Sequence, residues 1–193
     1  TCLNKKLEPM KIKTKTKQLE EMIDTLINYT RLNNSDIREK MVKKSITNFF
    51  NDYLKEVSVY GELINRKITT ENLVTKNIEL PFNEQLLHRA LENLFSNARR
   101  YTKDGDSIQL KLHIEGSNLI FDMKDSGCGI AKEDLKNIFD LFFRGTNSRL
   151  EKGMGIGLSV VKNIISTHGW TINVDSEKGI GSTFSIIIPL EQE

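Results

Sequence analysis

Asn93, Asn97 and Arg100 stand four and three residues apart inside the run 83–101. In that run Leu87, Ala90, Leu91, Leu94, Phe95 and Ala98 repeat at helical spacing. The three polar residues therefore share a stripe that points away from the apolar face. Magnesium takes hard oxygen ligands and keeps several waters, so one amide oxygen beside phosphates suits it. Asn97 is the expected metal ligand, Asn93 its neighbour in the same network and Arg100 a phosphate contact. Asp125 offers different chemistry, because it follows an apolar strand and precedes Gly127 and Gly129. A carboxylate held there accepts a hydrogen bond from the exocyclic amine of adenine, which guanine does not present at that edge. Leaving such a buried group unpaired costs about 1–3 kcal/mol, enough to discriminate between the bases. Gly127 and Gly129 are expected to let the backbone approach the base closely.

A second set of residues suits an anion. Gly153, Gly155 and Gly157 lead into an apolar helical run that begins near Leu158. Bare backbone N–H groups and the positive end of a helix together hold phosphate. No Gly-Lys-Ser/Thr follows these glycines, which excludes the mononucleotide P-loop. A Rossmann reading fails as well, for want of a strand–loop–helix–strand unit with an acidic ribose contact. Phe139 and Phe142, with Leu135 and Ile138, have a spacing that serves core packing and ligand contact equally. Arg144 opens a polar, glycine-bearing stretch, 145–153, which reads as a mobile lid. Its guanidinium is a charge for phosphate oxygens, with Arg149 and Lys152 as weaker candidates.

Four segments thus occur in a fixed order: 93–98 (NLFSNA), 125–130 (DSGCGI), 139–144 (FDLFFR) and 153–158 (GMGIGL). They resemble the N, G1, F and G2 boxes of bacterial sensor histidine kinases, closely over about residues 80–190 and loosely over 10–60. The resemblance implies a Bergerat-type ATP-binding fold, with ATP and Mg2+ as cofactors. It adds Tyr101, Ile130, Phe142, Leu158 and Thr183 to the nucleotide contacts already named, and places no catalytic residue within the chain. The γ-phosphoryl would pass to a histidine outside these residues and then to an aspartate of a response regulator. The implied partners are the chain's own phosphoacceptor helix in a homodimer and that regulator. Related ATPases of the gyrase, mismatch-repair and chaperone type, and anti-sigma serine kinases, typically carry a glutamate where this chain has Asn93. A carboxylate there acts as a general base on water or a hydroxyl, whereas an amide takes no proton at neutral pH. Glu92 is adjacent, yet one residue turns a helical side chain by about 100°, off the stripe. Two rival readings remain: an ATP hydrolase of the same superfamily, and a nucleotide-binding scaffold that transfers nothing.

The elements that must position these residues point to an α+β protein, a two-layer α/β sandwich with a mixed sheet behind a helical segment. Ile12, Leu19, Met22, Leu26 and Tyr29 fit a heptad seam, and the polar run 33–36 ends it. Residues 1–35 are read as the end of a dimerisation helical domain and 36–193 as the catalytic ATP-binding domain. Helices are expected at 41–60, 83–101 and 158–167, and strands at 67–73, 75–80, 108–114, 119–124, 171–176 and 183–188. None of His88, His113 and His168 lies in a helix-borne acidic-proline segment, so the phosphoacceptor is expected elsewhere. His168 precedes Gly169 at a helix end, where a cation suits the negative terminus. Trp170 stands where the family commonly has glycine and is read as local packing.

Composition sets the remaining bounds. With 193 residues and 38% hydrophobic content the chain buries a substantial core, and a net charge of +2 calls for neither nucleic acid nor membrane. The lysines between Lys5 and Lys17 read as a solvated face. Cys2 and Cys128 build neither a disulfide framework nor a zinc site. Two cysteines so placed fit a reducing, cytoplasmic setting, and no apolar run is long enough to span a bilayer, so no direct membrane contact by these residues is expected. The resemblance implies a membrane-anchored full-length protein.

Overall fold

The computed structural model describes residues 41–61, 66–145 and 155–190. The heptad run 12–29 and the expected domain boundary at 35 lie outside them, as do Arg149, Lys152 and Gly153. The chain order is β1 (Val42–Ser45), α1 (Ile46–Gly61), β2 (Lys67–Asn72), β3 (Glu79–Phe82), α2 (Glu84–Tyr101), β4 (Ser107–Glu115) and β5 (Asn118–Asp125). The short α3 (Lys132–Leu135), α4 (Gly157–Thr167), β6 (Thr171–Glu177) and β7 (Gly181–Pro189) complete it.

Five strands form one sheet in the order β2-β4-β5-β7-β6. Only β2 and β4 run parallel, and the other pairs are antiparallel, so the sheet is mixed as expected. Strand alternation gives it an apolar inner face: Leu110 pairs with Met123 and that with Phe184, and Leu112 pairs with Phe121 and that with Ile186. Leu110, Leu112, Phe121 and Ile186 are fully buried, each burial stabilising by about 1.5–3 kcal/mol. Phe50 of α1 stacks on Phe121 with ring centroids 4.8 Å apart. The apolar side of α2 supplies Leu87, Ala90, Leu91, Leu94, Phe95 and Ala98 to the same core. The opposite face carries polar rows, with Glu71, Lys111, Asp122 and Ser185 in register across four strands.

Two local expectations need correction. Residues 42–45 form a strand and not the start of a helix, because they pair antiparallel with 79–82. The helix begins at Ile46, where the Asn48 N–H donates to Ser45 Oγ at 3.1 Å and so caps the first turn. The strand expected at 75–80 lies at 79–82 for the same reason. Its Pro81 is tolerated because β3 belongs to a two-stranded ribbon, not to the central sheet.

Candidate functional site

The site is assembled from α2, the β5–α3 loop, the F segment and the start of α4. Asn83 caps α2 by accepting the Leu86 N–H at 3.1 Å. One helical turn separates Asn93 from Asn97, and both are half-buried. The Asn93 amide nitrogen donates to the Arg89 carbonyl at 3.0 Å. That leaves Oδ1 facing the first residue of α4, 3.4 Å from where a Cβ on Gly157 would sit. Helix α2 and the glycine loop therefore meet at Asn93. Arg100 is exposed and Tyr101 half-buried at the far end of the stripe.

Asp125 ends β5 with only 6% of its surface exposed. Burial pushes its carboxyl above the usual carboxylate range. The Gly127 N–H, donated at 2.9 Å, and an N–H from Ser182 work against that rise, while Asp106 adds to it. The glycines beside it have a reason the sequence did not reveal. A Cβ at Gly127 would strike the Tyr101 carbonyl, and one at Gly129, where φ is +62°, would strike the Glu177 carbonyl. These glycines let the loop approach protein backbone on both sides. Backbone bonds fix the fit: the Cys128 N–H donates to the Tyr101 carbonyl at 3.2 Å, and the Gly179 N–H to the Cys128 carbonyl at 2.8 Å. Ile130, half-buried, donates its N–H to Ser176 Oγ at 2.9 Å.

The F segment is a series of turns. Ile138 is buried, and Phe139 lies under the Lys162 ammonium, 5.7 Å from the ring centroid. Phe142 is 45% exposed and adopts φ +64°, the only positive φ outside glycine among the described residues. Core packing thus claims Ile138, not Phe142. Gly155, with φ +70°, lies against this segment: a Cβ would come 2.5 Å from the Phe143 carbonyl oxygen and 3.1 Å from Arg144 Cγ. Arg144 is exposed there and Leu158 half-buried. Helix α4 starts after Ile156, whose side chain provides no cap, and the N–H groups of such a helix start suit an anion.

Residues 82–192 match the family model of histidine kinase-, DNA gyrase B- and HSP90-like ATPases. The chain belongs to that family. The sensor-like histidine kinase SenX3 of Mycobacterium tuberculosis is 30% identical over 181 residues, covering 93% of this chain and 44% of the relative. WalK, a sensor histidine kinase of Bacillus subtilis, is 26% identical over 202 residues, covering 98% of this chain and 32% of the relative. The chain therefore spans less than half the length of these curated relatives. Among solved structures, full-length ShkA in complex with AMPPNP superposes with TM-score 0.73 at 21% identity, covering 91% of this chain and 36% of that one. The mycobacterial sensor histidine kinase MprB superposes with TM-score 0.62 at 21% identity, over 77% and 97% respectively.

Within this ATPase-family domain, the strand register separates the two neighbours Ser182 and Thr183. Thr183 pairs with Lys124, while Asp125 pairs with Ser182. Alternation puts Thr183 on the polar outer face and Ser182, buried, on the face of Asp125. Ser182 and Ser176 lie 2.9 Å apart through their hydroxyls, and sequence reasoning missed both. The paired register was the only signal for them. His168 also differs from expectation. Burial lowers its pKa, its Nδ1 donates to the Ile164 carbonyl at 2.7 Å, and its Nε2 accepts the Asn83 N–H at 3.0 Å. It is a neutral bridge between the end of α4 and the start of α2. Trp170 packs on it at 4.7 Å, as the packing reading expected. Among the described residues no three His, Cys, Asp or Glu side chains gather as a metal centre, and no helix is long and apolar enough to cross a membrane.

Proposed function

We propose that the chain is the ATP-binding catalytic domain of a sensor histidine kinase, which presents the γ-phosphoryl to a histidine outside residues 1–193. The observation that carries this reading is the amide at position 93. Asn93 keeps its nitrogen on the Arg89 carbonyl and faces the glycine loop with Oδ1, so this position offers an amide and not a carboxylate to activate water. Glu92 does not substitute for it, since the buried Tyr53 hydroxyl of α1 donates to its carboxylate at 3.1 Å. Nor do the histidines qualify as acceptors: His168 has both nitrogens engaged, His113 lies on the outer sheet face near Asp122, and His88 bonds Glu56.

In this reading Asp125 takes the adenine amine and the uncapped start of α4 takes the phosphates, with Arg144 and Arg100 adding charge. Mg2+ would be held by Asn97 beside phosphate oxygens and waters, neutralising charge on the transferred group. Catalysis is then positioning and charge stabilisation, for which this domain supplies no covalent step. The further partners are the phosphoacceptor helix of a homodimer and a response regulator, in a protein anchored to a membrane elsewhere. The test is transfer from γ-labelled ATP. The 193-residue chain should acquire no stable phosphate and hydrolyse ATP only feebly, while a longer chain with the upstream helix should gain acid-labile phosphate on that helix. Brisk hydrolysis by the 193 residues would favour the hydrolase, and binding without transfer in the longer chain would favour the scaffold.

A further inference from the structure

The start of β2 reaches the G1 loop through a short polar relay that none of the four sequence boxes contains. Arg66 donates from Nε to Thr102 Oγ1 and from Nη2 to the Thr102 carbonyl, each at 2.9 Å. Thr102 is 3% exposed and ends α2. Its hydroxyl passes the interaction back, donating to the Ala98 carbonyl at 2.7 Å. A guanidinium at a helix C-terminus also meets the negative end of the helix dipole. The preceding residue, Tyr101, supplies the carbonyl that accepts the Cys128 N–H and against which Gly127 is pressed. Any shift of Thr102 therefore moves the seat of the loop that follows Asp125.

The geometry points to Arg66 as a positioning residue for base recognition: by clamping Thr102 it sets the Tyr101 carbonyl and, through it, the loop 126–129. Both of these Arg66 bonds go to Thr102, next to the Tyr101 carbonyl that seats the G1 loop, so its influence falls on the base end. The proposal rests on the nucleotide-binding reading above, and one of its measurements does not depend on it. Hydrogen exchange of the Cys128 amide, followed in nucleotide-free protein, reports directly on the loop's seat.

The variants are Arg66→Met, Arg66→Lys and Thr102→Val, each compared with the unaltered chain for ATP and GTP affinity and for Cys128 exchange. Arg66→Met should speed that exchange by about tenfold and weaken ATP by about tenfold while weakening GTP less, the scale of one lost charged hydrogen-bond pair. Arg66→Lys keeps one donor for the Thr102 carbonyl and should recover part of both effects. Thr102→Val, which removes only the hydroxyl, should give about threefold changes, smaller than Arg66→Met in each measurement. It carries the test should Arg66→Met fail to fold. Folded variants with unaltered Cys128 exchange and an unaltered ATP-to-GTP ratio would overturn the proposal, even if their melting temperatures fall. Failure of the unaltered chain to bind ATP would sink the functional reading, and Cys128 exchange would still decide the clamp.

Discussion

The two ends of the proposed nucleotide site are built on opposite plans. At the base end the loop after Asp125 is wedged between the Tyr101 carbonyl and the β6–β7 turn, with backbone bonds on both sides. At the phosphate end α4 begins without a side-chain cap, beside an exposed Phe142 in a left-handed conformation. A non-glycine residue in that region costs about 1–2 kcal/mol, which only surrounding contacts sustain. The first end is fixed by the protein itself, so selectivity can reside there. The second begins a helix without a capping side chain, which suits an anionic ligand that comes and goes.

That contrast is broken most sharply at Gly129. Gly129→Val should abolish ATP binding and lower stability by about 2–4 kcal/mol, since a side chain there meets the Glu177 backbone. Chemical denaturation and calorimetry check both parts, and near-native stability would show that the base end is not fixed by these contacts. Gly155→Val should also abolish ATP binding, but with a smaller stability loss of about 1–2 kcal/mol, because the exposed F segment can yield. Unchanged affinity in that folded variant would remove the glycine loop from the site.

Asp125→Asn sharpens the comparison without disturbing the backbone. The amide can turn a donor toward the base, so the preference for ATP over GTP should narrow by about tenfold or more. Competition titration measures it directly. The smallest effect concerns His168, which joins the two helices behind the site. Its pKa is lowered in the fold, so the unfolded chain binds the proton more readily and stability rises with pH across that window. The contribution is complete above the ordinary histidine value of about 6.5 and fades as pH falls from there through the folded value. His168→Gln should flatten this slope, with a change of about 0.5–1 kcal/mol at neutral pH. An unchanged slope in denaturation series from pH 7 to 5 would assign the titration to another group.

Much of the frame could be read from the chain, because its signals are local. The stripe on α2, the alternation in β4 and the glycines before α4 each follow from spacing within a dozen residues or so. What escaped depends on distant partners. Residues 42–45 look helical until 79–82 offers a strand to pair with. Thr183 and Ser182 are adjacent and chemically alike, and only the register with Asp125 separates their faces. The glycines after Asp125 also face the Tyr101 and Glu177 carbonyls, which lie far from them in sequence and could not be foreseen. His168 was read as a cation at a helix end, and the Asn83 N–H that demands a neutral ring lies 85 residues away.

The most direct test is a calorimetric titration of the 193-residue chain with ATP and with GTP, each with magnesium and with magnesium chelated. The account predicts ATP binding that weakens markedly on chelation, and GTP binding at least about tenfold weaker than ATP, the discrimination expected of one buried carboxylate. Equal affinity for the two nucleotides, or affinity indifferent to magnesium, would contradict it.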